Sequence, residues 1–251
     1  MSETAIETHN LTVTYSARRG PVRALDGLNL RVNTGQVFGF LGPNGSGKTT
    51  TMHVLLGFIA ATSGEASLFG TDVRQSIARQ RIGYLPEHPD TYRFLTGREL
   101  LTASGRLFLL RGPALRSRVE QVLAETGIEQ AADRKIATYS RGMMQRICLA
   151  QALVNDPDLV ILDEPTGGLD PLGRAAVRRL IAGLKARGRT VFFSSHELSE
   201  VELVCDHLAI LSSGRVVAEG AASALVPPGE SLENYFMRII QSEPVPVRKT
   251  P

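Results

Sequence analysis

The chain of 251 residues is 43% hydrophobic, 21% charged and 6% aromatic, and it contains no tryptophan. That length suits one large α/β domain, or a core carrying a smaller subdomain, and the apolar fraction supports a packed core rather than a disordered chain. Twenty-eight Lys and Arg against 25 Asp and Glu leave a formal charge of +3, too small an excess to mark a nucleic-acid or membrane-surface binder.

No segment reaches the roughly 18 apolar residues that a membrane helix needs, and the longest apolar run, residues 54–61, is interrupted by Gly57. The first ten residues lack a basic stretch followed by an apolar one, so no signal peptide is expected. Cys148 and Cys205 are far apart and match no metal spacing; they read as buried, reduced thiols.

Along the chain, the first 40 or so residues read as strands. Leu11, Val13 and Tyr15 alternate on one face, and Leu28, Leu30 and Val32 repeat the pattern after an expected turn at Asp26-Gly27. A short strand over residues 37–41 runs into a glycine-rich stretch, and a helical run follows over residues 48–56. Residues 91–154 are helical in pattern. Thr96 and Glu99 form a capping-box sequence; a second helix starts near Pro113, carries Val119, Val122 and Leu123 on one face, and stops at Gly127. A third helix runs from Ser140 to about Val154, with Met143, Ile147, Ala150 and Val154 at helical spacing.

The core resumes with an apolar strand over residues 159–162, then a helix with Asp170 as N-cap and Pro171 in its first turn, closing at Gly188. A strand over 190–193, a helix from Glu197 and a hairpin over 209–220 follow. Alternating strands and helices predict a parallel sheet built from βαβ units. Leu232, Tyr235, Phe236 and Ile239 mark a last short helix, and residues 243–251 read as a disordered tail.

Chemistry is concentrated at two places. Gly42-Pro43-Asn44-Gly45-Ser46-Gly47-Lys48-Thr49 matches the phosphate-loop pattern at each fixed position, between a predicted strand and a predicted helix. Glycines let successive N–H groups turn toward phosphate oxygens, the helix N-terminus adds the positive end of a dipole, Lys48 offers a charge to the β- and γ-phosphates, and the Thr49 hydroxyl can ligate Mg²⁺. Asp163 and Glu164 end the apolar strand, where ligands bind in open α/β sheets. Asp163 suits a metal and Glu164 suits the orientation or deprotonation of an attacking water.

Over residues 5–220 or so, the chain resembles the ATP-binding subunit of ABC transporters, with the family's motifs in the family's order. After the Gly42 to Thr49 loop comes a Q-loop-like Gly83-Tyr84-Leu85-Pro86-Glu87. The signature position reads Tyr139-Ser140-Arg141-Gly142-Met143, followed by Met144-Gln145-Arg146. Asp163-Glu164 resembles Walker B, Gly168-Leu169-Asp170 the D-loop, and His196 the switch histidine. Tyr15 takes the place of the aromatic that stacks on adenine.

The resemblance implies a P-loop NTPase (RecA-like) α/β core with an N-terminal antiparallel β subdomain and an inserted helical subdomain. It implies an ATPase domain over 1–220, with the core at 1–90 and 155–220, the helical insert at about 91–154, and a short helix and tail at 221–251. Two such chains, identical or merely similar, would close head-to-tail around two ATPs with Mg²⁺. Gly42, Pro43, Asn44, Gly45, Ser46, Gly47, Lys48, Thr49 and Thr50 would bind ATP in one chain, and Ser140, Arg141, Gly142 and Met143 would meet it from the other. Asp170 belongs to the D-loop; Glu164, His196 and Lys48 are the expected catalytic residues; Thr49, Asp163 and Glu87 are the expected metal ligands. The other histidines, His9, His53, His88 and His207, read as surface or packing residues.

Two positions depart from the family's pattern. YSRGM stands where LSGGQ is usual, so Arg141 either adds charge toward phosphate or is simply solvated. Glu87 stands where glutamine is usual, and a carboxylate holds Mg²⁺ more strongly but repels phosphate without it. The GYLPE and SRGM-x-QR wording resembles the ATPases of ABC-2-type systems, largely exporters, which dock on separate permease subunits at the cytoplasmic face of the membrane. Residues 92–101 would line the docking groove, although Phe94, Leu95 and Leu100 suit the core of the insert equally. The alternative is a soluble ABC-type ATPase acting on nucleic acid or ribosomes; the absence of a second ATPase unit and the small net charge disfavour it, and no nucleic-acid partner is expected.

Overall fold

The computed structural model describes residues 4–17 and 20–242, so the expected tail over 243–251 lies outside the described residues. The chain forms two compact units, one of residues 1–79 and 194–251, the other of residues 80–193.

In the first unit, β1 (Thr4–Tyr15) pairs antiparallel with β2 (Val22–Asn33). Leu11, Val13, Leu28, Leu30 and Val32 are buried as their alternation predicts, but Tyr15 at the strand's end is exposed. The expected turn at Asp26-Gly27 is instead inside β2. There the ladder slips in register between Leu11↔Leu28 and Val13↔Leu25 but continues, making an irregularity in a strand rather than a reversal. Asp26 is occupied: its N–H donates to Gly214 O at 3.0 Å, and its carboxylate pairs with Arg23 at 2.9 Å and with Arg215.

The wholly buried β3 (Val37–Leu41) leads through the glycine loop into α1 (Lys48–Leu55). β4 (Ser63–Leu68) and β5 (Thr71–Asp72) extend the β1 edge in the order β2-β1-β4-β5. Nothing in SGEASL alternates strongly enough to announce a strand; pairing with β1, as in Ile6↔Leu68 and Thr8↔Ala66, makes it one.

In the second unit, β6 (Ile82–Leu85) precedes three helices, α2 (Gly97–Leu107), α3 (Gly112–Thr126) and α4 (Arg141–Leu153). The Thr96/Glu99 capping box is present, with Glu99 N donating to Thr96 Oγ1 at 3.1 Å and Thr96 N to Glu99 Oε2 at 2.8 Å. α3 ends on Gly127 at φ +64. β7 (Leu159–Leu162), α5 (Pro171–Ala186) and β8 (Thr190–Ser195) complete the unit, β7 running parallel to both β6 and β8. From residue 194 the chain belongs to the first unit again.

There α6 (Leu198–Val204) leads to β9 (His207–Ser212), which runs parallel to β3 and hairpins into β10 (Arg215–Ala221). A single turn, α7 (Ala222–Leu225), and α8 (Leu232–Ser242) close the described chain; Leu232 is buried and its N–H donates to Glu202 Oε1 at 3.1 Å.

Both cysteines are free thiols. Cys148 is buried, and burial pushes its thiol up to about 12. Cys205 is only half-buried, not buried as its sequence context suggested; its Sγ fills the space beside Gly39 of β3, 2.8 Å from where a Cβ would stand. Among the described residues no helix is long and apolar enough to cross a membrane.

Candidate functional site

The phosphate loop is shaped from both ends. β3 delivers Gly42 out of a fully buried strand, and Gly47, at φ +112, turns the chain into α1. Neither glycine has room for a side chain: a Cβ on Gly42 would meet Leu211 O and Ser46 Oγ, and one on Gly47 would meet Ala24 O. Between them, Ser46 N donates to Pro43 O at 3.1 Å and Gly214 N donates to Ser46 O at 2.8 Å, so the β9–β10 turn braces the loop. Pro43, Asn44 and Gly45 are exposed at its crest.

The polar groups left inside the loop suit an anion. Lys48 is 93% buried by its 7% exposure, and its Nζ donates to Gly42 O at 2.6 Å and to Pro43 O at 3.4 Å, which holds the ammonium inside the curl of the loop. Ser46 Oγ is buried and has no hydrogen-bond partner. α1 begins without a side-chain cap and without an acidic residue in its first turn. A buried cation, a buried hydroxyl wanting an acceptor and an uncapped helix N-terminus fit phosphate oxygens. Thr49 and Thr50 are half-buried in the same turn, and Tyr15 OH lies 3.5 Å from Thr50 Oγ1 with the ring 41% exposed.

In the second unit β7 is buried throughout and is followed by Asp163, which is 1% exposed and whose N–H donates to Leu85 O at 2.9 Å. Glu164 is also buried and has φ +50, a left-handed backbone that costs a non-glycine residue about 1–3 kcal/mol. Tyr84, on the neighbouring β6, is pushed up to about 12 by burial and by the negative charges of Asp163 and Glu87. Glu87 itself is exposed and has the His88 imidazole 3.8 Å away. Among the described residues no three His, Cys, Asp or Glu side chains cluster as a ready-made metal cage.

Ser140 caps α4, its Oγ accepting from Met143 N at 3.3 Å, and stands exposed beside Arg141. Asp170 caps α5, its Oδ1 accepting from Gly173 N at 2.7 Å. Ser140, Arg141, Gly142, Met143 and Asp170 line one cavity of about 730 Å³, so the signature and D-loop segments share a face of this unit. Glu87, Arg93, Tyr139 and Met144 line a second cavity of about 550 Å³. Nearby, Tyr92 and Phe94 are 64% and 70% exposed with ring centroids 5.8 Å apart, whereas Leu100 is buried and Leu95 half-buried. The apolar residues left ambiguous by periodicity therefore divide, Leu100 to the core and Phe94 to the surface. His196 follows β8 and is exposed.

Sequence reasoning missed three features: the partnerless Ser46 hydroxyl, the left-handed Glu164, and the two α4 side chains that reach the loop beyond it. Gln145 Nε2 donates to Pro165 O at 2.9 Å, and Arg141 Nη2 donates to Gly167 O at 3.3 Å. Only the periodicity of α4, which puts residues four apart on one face, hinted at such a pairing.

A phosphate loop closing a buried strand, an antiparallel N-terminal sheet and three-stranded parallel packing around an acidic strand end define a P-loop nucleotide-binding ATPase domain. The ABC transporter family profile matches residues 25–167, and the chain belongs to that family as one of its ATP-binding proteins. It is 46% identical over 207 residues to an ABC transporter ATP-binding protein of Nostoc sp., covering 82% of this chain and 62% of that one. It is 40% identical over 228 residues to the Nod factor export ATP-binding protein I of Paraburkholderia xenovorans, covering 90% and 74%. The chain thus spans about three-fifths of the cyanobacterial relative's length. Among solved structures, the ATP-binding subunit of an ABC transporter superposes with a TM-score of 0.84 at 29% identity, covering 94% of this chain and 99% of that one. A dimeric ATP-binding cassette in a post-hydrolysis state bound to ADP and Pi superposes at 0.80 with 25% identity, covering 86% and 98%.

Proposed function

We propose that the chain is the ATP-hydrolysing motor subunit of an ABC transporter, docked on separate permease subunits at the cytoplasmic face of the membrane and driving export. One observation carries the nucleotide reading: a buried lysine and a buried, partnerless serine hydroxyl meet at an uncapped helix N-terminus. The export reading is supported by the Nod factor export ATP-binding protein I, to which this chain is 40% identical over 228 residues.

In this reading Lys48 and the N–H groups of residues 42–50 hold the triphosphate, and Tyr15 stacks on the adenine. Thr49 and Asp163 hold Mg²⁺, with Glu87 near it; the ion screens phosphate charge when bound. That pair suits magnesium, which usually takes one or two carboxylates or hydroxyls together with substrate phosphates. Glu164 accepts a proton from the attacking water, and His196 steadies the γ-phosphate. Ser140, Gly142 and Met143, with Asp170, face the nucleotide of a second copy or a similar chain, and Arg141 belongs to the same segment. The functional division is then a core at 1–90 and 155–220 with a helical insert at 91–154, whose exposed Tyr92 and Phe94 meet the permease.

Glu164→Gln tests the assignment. It keeps the shape and removes the base, so steady-state phosphate release falls at least about 100-fold while MgATP-dependent dimers accumulate on gel filtration. Turnover within threefold of wild type would refute the base assignment.

A further inference from the structure

The four consecutive carbonyls from the strained Glu164 to Gly167 are each bonded. Gly167 N donates to Glu164 O at 3.0 Å and Leu169 N to Thr166 O at 3.2 Å, so two bonds come from the loop itself. The other two come from α4: Gln145 reaches Pro165 O and Arg141 reaches Gly167 O. Arg141 and Gln145 are one helical turn apart and so share a face. The Arg141 guanidinium also lies over Gly168, at φ +67, where any Cβ would collide with it. A left-handed non-glycine backbone persists only where its surroundings over-determine it, and here two α4 side chains contribute to that determination.

Gln145 is buried, and its bond is a fixed part of the packing. Arg141 is exposed and stands where the family's pattern has a glycine, which could make no such bond. Its alternatives at the sequence level were a contact to phosphate or plain solvation. We infer that Arg141 is a positioning residue: it ties the loop carrying Glu164 to the first turn of the signature helix, so that engagement of Ser140 by a second chain's nucleotide sets the geometry of this chain's own general base. The inference rests on the proposed ATPase reading and deepens it, because it links the two nucleotide sites of a dimer through one side chain. An arginine committed to Gly167 O in this way is not reaching for phosphate.

The full-length chain is compared with Arg141→Ala, Arg141→Gly and Arg141→Lys. Amide hydrogen exchange without nucleotide reads the tether directly: the Gly167 N–H, bonded to Glu164 O, exchanges faster in Arg141→Ala and at the wild-type rate in Arg141→Lys, whose ammonium reaches the same carbonyl. With ATP, kcat of the Ala and Gly variants falls about fivefold to tenfold, the scale of one lost coupling contact. The Hill coefficient for ATP falls toward 1, the fluorescent ATP-analogue Kd stays within twofold, and Lys restores kcat.

Unchanged exchange at Gly167 together with unchanged kcat overturns the inference. So does a loss that appears as weaker nucleotide binding, or as weaker MgATP-dependent dimerisation in a Glu164→Gln background, since that pattern belongs to a phosphate contact in trans. A Lys variant as impaired as Ala also overturns it. Failure of the parent reading is scored separately, by Glu164→Gln retaining turnover.

Discussion

Gly47→Ala tests how tightly the phosphate loop is held from outside, and its size can be worked from the structure. Gly47 has φ +112, and a Cβ there would sit 2.7 Å from Ala24 O and 2.7 Å from Leu25 Cδ2, well inside the roughly 3.5–4.0 Å of ordinary contact. Ala24 O is backbone of β2 and cannot rotate aside. The left-handed conformation costs about 1–3 kcal/mol for a residue with a side chain, and overpacking against backbone adds about 1–3 kcal/mol. Gly45, in the same loop at φ +81, has no atom within 4 Å of its would-be Cβ. Gly45→Ala therefore bears only the conformational part, about 1–3 kcal/mol.

In a domain of this size each kcal/mol moves the midpoint of thermal unfolding by about 2–4 °C. Followed by circular dichroism without nucleotide, Gly47→Ala should melt about 2–12 °C below Gly45→Ala, since the overlap is what separates them. Midpoints within about 1 °C of each other would refute the argument, because the wall formed by Ala24 and Leu25 would then give way freely. Nucleotide sharpens the contrast. The bracing of Ser46 by Gly214 puts this wall and the anion site in one hydrogen-bonded unit, so the variant that melts lower also gains less from ATP.

Other expectations follow from single side chains. Ser46→Ala removes the buried hydroxyl proposed to meet phosphate and should weaken binding of a fluorescent ATP analogue by about tenfold, the effect of one hydrogen bond to a charged group; an unchanged Kd would take that hydroxyl out of the site. Cys148, with its thiol pushed up to about 12 by burial, should escape alkylation in native protein near neutral pH and react once unfolded, as peptide mass spectrometry would show. The N–H of Thr96 holds the Glu99 carboxyl below its ordinary value of 4.5, so the carboxylate stabilises the fold at pH values above that ordinary value, and the effect is lost as pH falls through the depressed one. Glu99→Gln should accordingly lower the melting midpoint at neutral pH and converge on wild type in acid; a gap of constant size across the titration would contradict this.

What the sequence made legible follows the range of the forces involved. Thr96 and Glu99, three residues apart, announce their helix because both bonds of the capping box are local. Gly127 and Asp170 likewise punctuate α3 and α5 through geometry set within a few residues. The strand–loop–helix of residues 37–55 is equally plain, because the phosphate-binding pattern is itself a local backbone shape. β4 was not legible, since its strand character comes from a partner more than fifty residues away. Asp26-Gly27 misled for the same reason: a pair that favours turns in isolation is drawn into β2 by bonds to Gly214 and Arg215, far along the chain.

The candidate site divides in the same way. Lys48, Thr49 and Asp163 are visible as motifs, whereas the control of Glu164 is not, because its loop is held by Gln145 from 20 residues away and by Arg141 from 26. Arg141 looked like a lapse from the family's glycine only while its neighbours were those in sequence. With Gly167 O as its partner and Gly168 beneath its guanidinium, that departure becomes a device: a side chain too long for the usual signature meets a loop whose glycine leaves it space. An arginine at 141 therefore requires a glycine at 168. A side chain at 168 should be tolerated better once Arg141 is shortened to Ala, so the pair couples in a double-mutant cycle whose interaction energy exceeds that of distant sites.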